Sequence, residues 1–162
     1  MAVPVVVASD PLQTGTESRL YVQAIGAAGA TIVWKENMRV PINSELNFVP
    51  TGQIQSIPVF GEIFDRAIKT GRGGTLNLMS LGGATDPIVK ILLDAGDAVG
   101  PTARVRVLLV NPDKRAYVGI MVVEASAPKY DNRNVFGYGF NGVMDGEYFP
   151  FQLALNDIST AP

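Results

Sequence analysis

"ARVRVLLVNPDKRAYVGIMVVEA", residues 103–125, decides the fold. Two runs of β-forming residues flank Asn111-Pro112-Asp113-Lys114, a sequence suited to a type I turn with proline in the second position. The reading is an antiparallel hairpin. On its first arm Val105, Val107 and Leu109 share a face, opposite Arg104, Arg106, Leu108 and Val110. One face is apolar throughout, and the other starts cationic and ends apolar. Arg104 and Arg106 are expected to meet solvent or an acidic neighbour.

Beyond the hairpin, "SAPKYDNRN" (126–134) reads as a loop. "VFGYGFNGV" (135–143) places Phe136, Tyr138 and Phe140 on one face and a glycine stripe on the other. Such a stripe admits a close backbone or marks a bent strand. Asp145-Gly146 is a hairpin-turn candidate, and "YFPFQLAL" (148–155) is a last strand that Pro150 confines to an edge or a strand start. Residues 156–162 read as a tail.

On the other side, "DPIVKILLDAG" (86–96) carries every mark of one amphipathic helix over about 86–95. Asp86 caps it, Pro87 fits its first turn, Ile88, Ile91, Leu92 and Ala95 form a stripe, and Gly96 stops it. Before it, "TGRGGTLNLMS" (70–80) sets a glycine cluster in front of an apolar alternation. A phosphate-binding glycine loop opens a helix, because helix N–H groups supply the anion site. GRGG opens a strand, so its glycines are expected to be turn chemistry. "VFGEIFDRAIKTG" (59–71) fits either a helix or a bent strand.

Residues 36–57 follow no sustained period yet contain Val40, Pro41, Ile42, Leu46, Phe48 and Val49. An apolar loop needs something to bury it, either its own sheet or another subunit, and the second is favoured. "RLYVQAI" (19–25) and "TIVWKE" (31–36) are early strands, with Trp34 as a core or subunit-contact anchor. Residues 1–18 read as an arm. The whole chain, 1–162, is expected to be one domain: mainly β, an antiparallel sandwich or barrel with one flanking helix, a long extended loop and terminal arms.

Composition narrows the chemistry. The chain has 162 residues, 47 % hydrophobic and 17 % charged, which is the balance of an ordered globular domain. It contains no cysteine and no histidine, so thiol catalysis, disulfides, Cys/His zinc sites and histidine bases are excluded. Thirteen basic residues against fifteen acidic ones, a net charge of −2, argue against a dedicated nucleic-acid binder. The apolar stretch near the start is too short for a membrane helix and lacks a basic flank, so a soluble chain with no membrane partner is expected. Carboxylates fall in no acid–base motif, and no serine sits in a nucleophile elbow. No catalytic residue, metal site or cofactor is expected, and the chain reads as a binding or assembly protein rather than an enzyme.

From about Ile54 to Leu155 the order of features resembles the bacteriophage major tail tube proteins of the siphophage type. The resemblance rests on "IPVFGEIFDRAIKTGRGGTLNLMS", then "DPIVKILLDAG", then "VRVLLVNPDKRAYVGIMVVEASAPKYDNRN", and an ending on P-F-Q-L. It implies a structural virion protein of the tail, assembled in the host cytoplasm. Its hexameric rings would stack into a tube that conducts DNA into the host without sequence-specific binding. Tape measure, tail terminator and distal tail proteins would be its other partners.

The same resemblance assigns inter-ring contacts to residues 1–18, 156–162 and the 36–57 loop, the last through Val40, Pro41, Ile42, Leu46, Phe48 and Val49. It assigns sheet closure between subunits to the hairpin bearing Arg104, Arg106 and Tyr117. A virion-decorating or carbohydrate-binding β-sandwich is the alternative. That reading wants exposed aromatics grouped at one site, and Tyr21, Trp34, Tyr117, Tyr130 and Tyr138 are scattered along the chain.

Overall fold

A computed structural model describes residues 18–26, 30–61, 63–130, 136–153 and 158–162. The expected hairpin is its centre. Strand β4 (Arg104–Val110) pairs antiparallel with β5 (Arg115–Tyr130), from Val110 opposite Ala116 to Arg104 opposite Val122. The turn closes through the Lys114 N–H, which donates to the Asn111 carbonyl at 2.9 Å. Asp113 Oδ1 accepts from the Arg115 N–H at 3.0 Å. Lys114 itself takes a left-handed conformation, φ 66°, the position after a type I turn that glycine fits best.

Five further strands join this pair among the described residues. They are β1 (Arg19–Ala24), β2 (Ile42–Ile57), β3 (Arg66–Ser80), β6 (Phe136–Met144) and β7 (Phe149–Gln152). The sheet is a curled antiparallel half-barrel in the order β1-β4-β5-β6-β3-β2, with β7 on the edge of β5. The mainly β, one-helix fold read from the sequence is the fold observed. Helix α1 (Pro87–Asp97) covers one face, and the Asp86 carboxylate caps it by accepting from the Ile88 and Val89 N–H groups at 2.8 and 3.3 Å.

The alternation on β4 gives the sheet two cores. Val105, Val107 and Leu109 join Leu76, Leu78, Phe140, Val89 and Leu92 beneath α1. Leu108 and Val110 point the other way, into a cluster with Tyr21, Trp34, Ala116, Leu153, Ile158 and Ala161. Trp34 is therefore a core residue, and its indole N–H donates to the Pro162 carbonyl at 3.3 Å. Residues 158–162 fold into this second core, which corrects their reading as a free tail. Residues 1–17 lie outside the described set.

Several local expectations change. Residues 31–36 form no strand, and 126–130, read as loop, extend β5. The segment 36–57 is not a loop: after a short 3-10 turn, residues 42–57 form β2, which pairs with β3 across a register shift between Gln53 and Ile54. Its period was hidden by Pro50, Gly52 and that shift. GRGG is not a turn either. Gly71, Gly73 and Gly74 lie inside β3 with no positive φ, and they make room for the partner strand. A Cβ at Gly74 would come within 2.7 Å of the Phe48 ring, and one at Gly71 within 3.0 Å of Gln53 Oε1.

Asp145-Gly146 bends the chain, with Gly146 at φ 87°, but makes no hairpin, because β6 and β7 follow each other along the same edge of β5. Gly96 does not stop α1. The helix runs on to Asp97, with Gly96 resting on Ser126 of β5. The ambiguous 59–71 segment resolves as the tip and return strand of a long hairpin.

Candidate assembly surface

That hairpin projects beyond the rest of the sheet. Strand β3 pairs with β6 only from Thr75 to Met79. Beyond that point, among the described residues, Pro50–Ile57 and Arg66–Gly74 pair only with each other. At about 3.3 Å per residue the ribbon reaches roughly 25 Å past the sheet. Two strands with no third neighbour are marginal in water unless something packs on them.

The ribbon is apolar where no described residue covers it. Phe60, Ile63 and Phe64 at the tip have relative exposures of 106, 93 and 80 %, and Ile54 on the shaft 72 %. Ile57 and Ile68 are exposed as well. Gly61, at φ 87°, turns the tip. The sequence leaves 59–71 open between a helix and a bent strand and does not single out Phe60, Ile63 and Phe64 as a site. Pro58 and Gly61 were the available signal, since both punctuate a turn.

The residues singled out from sequence divide. Val40 lies in the core beneath α1, 2 % exposed, with its N–H donating to the Leu20 carbonyl. The carbonyl of Pro41 accepts from the Leu81 N–H, and Ile42, Leu46 and Phe48 pack onto the same core. These residues are covered by their own sheet, the less favoured of the two alternatives. Only Val49 of the set is an exposed apolar side chain. The exposed apolar surface lies further along the strand than the base of β2, at the ribbon tip.

The structure brings Phe48 and Tyr117 together. Their ring centroids are 5.3 Å apart, and Tyr148 completes a triad at 5.3 and 5.6 Å. Arg72 reaches from β3 over the Tyr148 and Phe149 rings and lies 3.8 Å from Glu147. This cluster anchors the base of the ribbon to β5 and to the segment leading into β7. Arg104 meets an acidic neighbour, Asp145, at 3.0 Å. Arg106 lines a recess of about 510 Å³ with Trp34, Val118, Asp145, Glu147 and Phe149.

Two strands end the sheet. The free side of β1 is partly closed by residues 39 and 40, through the Tyr21–Arg39 bridge and the Val40 N–H. The outer side of β2 has no strand beside it among the described residues. A long unpaired edge is a template for pairing with another chain. Among the described residues no three acidic side chains are grouped so as to hold a metal ion, and no helix is long and apolar enough to cross a membrane.

No family model matches the chain, and no curated protein does. Solved structures do share its fold. One is a chain from the tail of the empty gene transfer agent particle, determined with C6 symmetry, which aligns with a TM-score of 0.56 at 9 % identity. The alignment covers 88 % of this chain and all of that one. Another is a chain from the virion of the native gene transfer agent particle, with a TM-score of 0.55 at 8 % identity, covering 86 % of this chain and 99 % of that one. Nearly the whole chain thus shares its fold with chains from the tails of phage-like particles.

Proposed function

We propose that the chain is a tail tube subunit: a non-enzymatic structural protein that closes into hexameric rings, which stack into a conduit for DNA. The observation that carries the reading is the ribbon with its fully exposed Phe60, Ile63 and Phe64. Contiguous apolar surface of this kind marks a protein-interaction site. On this reading the tip docks on a copy in the adjacent ring, and the open edge of β2 pairs with the next subunit in the same ring. The C6 symmetry of the structurally similar gene transfer agent tail supports six copies per ring.

The rest of the notional partnership follows from the tube. Assembly would take place in the host cytoplasm and the product would be part of the virion. Tape measure, terminator and distal tail proteins would meet the tube's lumen and ends. The hairpin with Arg104, Arg106 and Tyr117 supports closure indirectly, by holding the base of the ribbon.

Of the aromatics named for the carbohydrate-binding alternative, Trp34 and Tyr21 are buried and Tyr117 and Tyr138 half-buried, while the side chain of Tyr130 lies outside the described set. Sedimentation of a Phe60→Ser, Phe64→Ser double variant tests the proposal. The variant is expected to keep the β-rich circular dichroism of the parent and to lose its higher assemblies. Unchanged assembly by the double variant would remove the ribbon tip from the contact.

A further inference from the structure

Each strand of the outer half of the sheet has a second face, turned away from α1. Register places Asn47 opposite Asn77 and Asn77 opposite Asn141, with Ala125 next in line on β5. An asparagine row thus crosses β2, β3 and β6. Thr75 and Val143 flank it as a cross-strand pair, and Asn47, Asn141, Ala125 and Val143 are exposed. On β2, β3 and β6 no charged residue occupies this face between Asn47 and Gln53, Gly71 and Met79, or Gly139 and Val143. On β5 the exposed Glu124 stands beside Ala125, and on β4 Arg104 shares the face and is held by Asp145 at 3.0 Å.

A chain with 13 basic and 15 acidic residues normally spreads them over any wall that meets bulk water. A contact surface between subunits, by contrast, is rich in large aromatic and apolar side chains at its centre. The centre here is asparagine, alanine, threonine and glycine. On β4 the same side carries Arg104 and Arg106 and then, through Leu108 and Val110, the Trp34 cluster, so among the described residues the band is the uncharged part left open.

The geometry points to this asparagine band as the lumen wall, the surface past which duplex DNA slides. The inference rests on the tube reading and names which face of the sheet looks inward. Each Lys or Arg on a wall that touches DNA adds a phosphate contact and releases counterions, so binding strengthens with every cation. A neutral amide surface stays hydrated and offers phosphate no ion pair. Helix α1, on the opposite face, then lies on the outer wall.

The absence of cysteine makes the test clean. Asn141→Cys, or Ala125→Cys if the first does not assemble, carries a single thiol on the band. Lys90→Cys places one on the exposed side of α1. Assembled tubes are treated with biotin-maleimide and then with streptavidin on gold, which is wider than a DNA duplex. The expected result is biotin on the band thiols by mass spectrometry, with gold at tube ends only, while Lys90→Cys tubes carry gold along their length.

Gold along the length of Asn141→Cys tubes would put the band outside. Band thiols that react in the monomer but are silent in the tube would put it inside a subunit contact. Either outcome overturns the inference and leaves the tube standing. Failure of the parent chain to form tubes would remove the tube reading itself.

Discussion

At the scale of single residues, the glycines separate by what surrounds them. Gly137 lies against the Ser80 carbonyl, where a Cβ would collide with backbone, and the Tyr138 N–H donates to Ser80 Oγ at 3.1 Å beside it. Gly137→Ala is expected to cost about 1–3 kcal/mol, as overpacking does. Gly96 sits in α1 with its nearest would-be neighbour at 3.5 Å, an ordinary contact. Gly96→Ala should therefore stabilise by about 0.5–1 kcal/mol, the usual gain when a helical glycine is replaced without strain. Urea denaturation of the two variants gives opposite signs if the packing is as described.

Tyr21 supplies a pH dependence. Burial raises its pKa above the ordinary 10.0, and its hydroxyl donation to Glu36 Oε2 at 2.9 Å adds to the rise. The native state thus holds the proton more tightly than the unfolded one. Its contribution is complete below pH 10 and is lost as pH climbs from there through the raised value. Tyr21→Phe is expected to flatten the alkaline limb of a thermal-melting series, and an unchanged limb would assign that loss to other groups.

At the scale of elements, the central hairpin and the helix were legible because each signal was local. Asn111-Pro112-Asp113-Lys114 names its turn, and Asp86-Pro87 names its helix start. The cap can be weighed: Asp86→Ala should lower stability by about 1 kcal/mol. Strand β2 was not legible, because its alternation is broken by Pro50, Gly52 and the shift at Gln53. Its pairing with β3 is also non-local, so no short window records it.

The candidate site shared that fate. Phe60, Ile63 and Phe64 have helical spacing on paper, while Pro58 and Gly61 make them a hairpin tip. Val40 and Ile42 looked unpartnered only because the strand that covers them is remote in sequence. Phe48 and Tyr117, 69 positions apart by their numbers, meet through three strand pairings. Gly74, whose role as turn chemistry failed, is what lets that contact form.

At the scale of the whole molecule, the sheet is closed on one half and open on the other. Around Trp34 the sheet is packed, whereas the ribbon, the β2 edge and the asparagine band have no partner surface among the described residues. On the proposed tube reading, repeated copies would supply one for each: a neighbouring sheet for the edge, an adjacent ring for the tip and a lumen for the band. Closure of this kind removes edges that otherwise invite uncontrolled pairing. The measurement that bears most directly on this is negative-stain electron microscopy of the purified chain as its concentration is raised. The account predicts hollow tubes of uniform diameter with six-fold rings in end-on views, and a chain that stays monomeric at every concentration would contradict it.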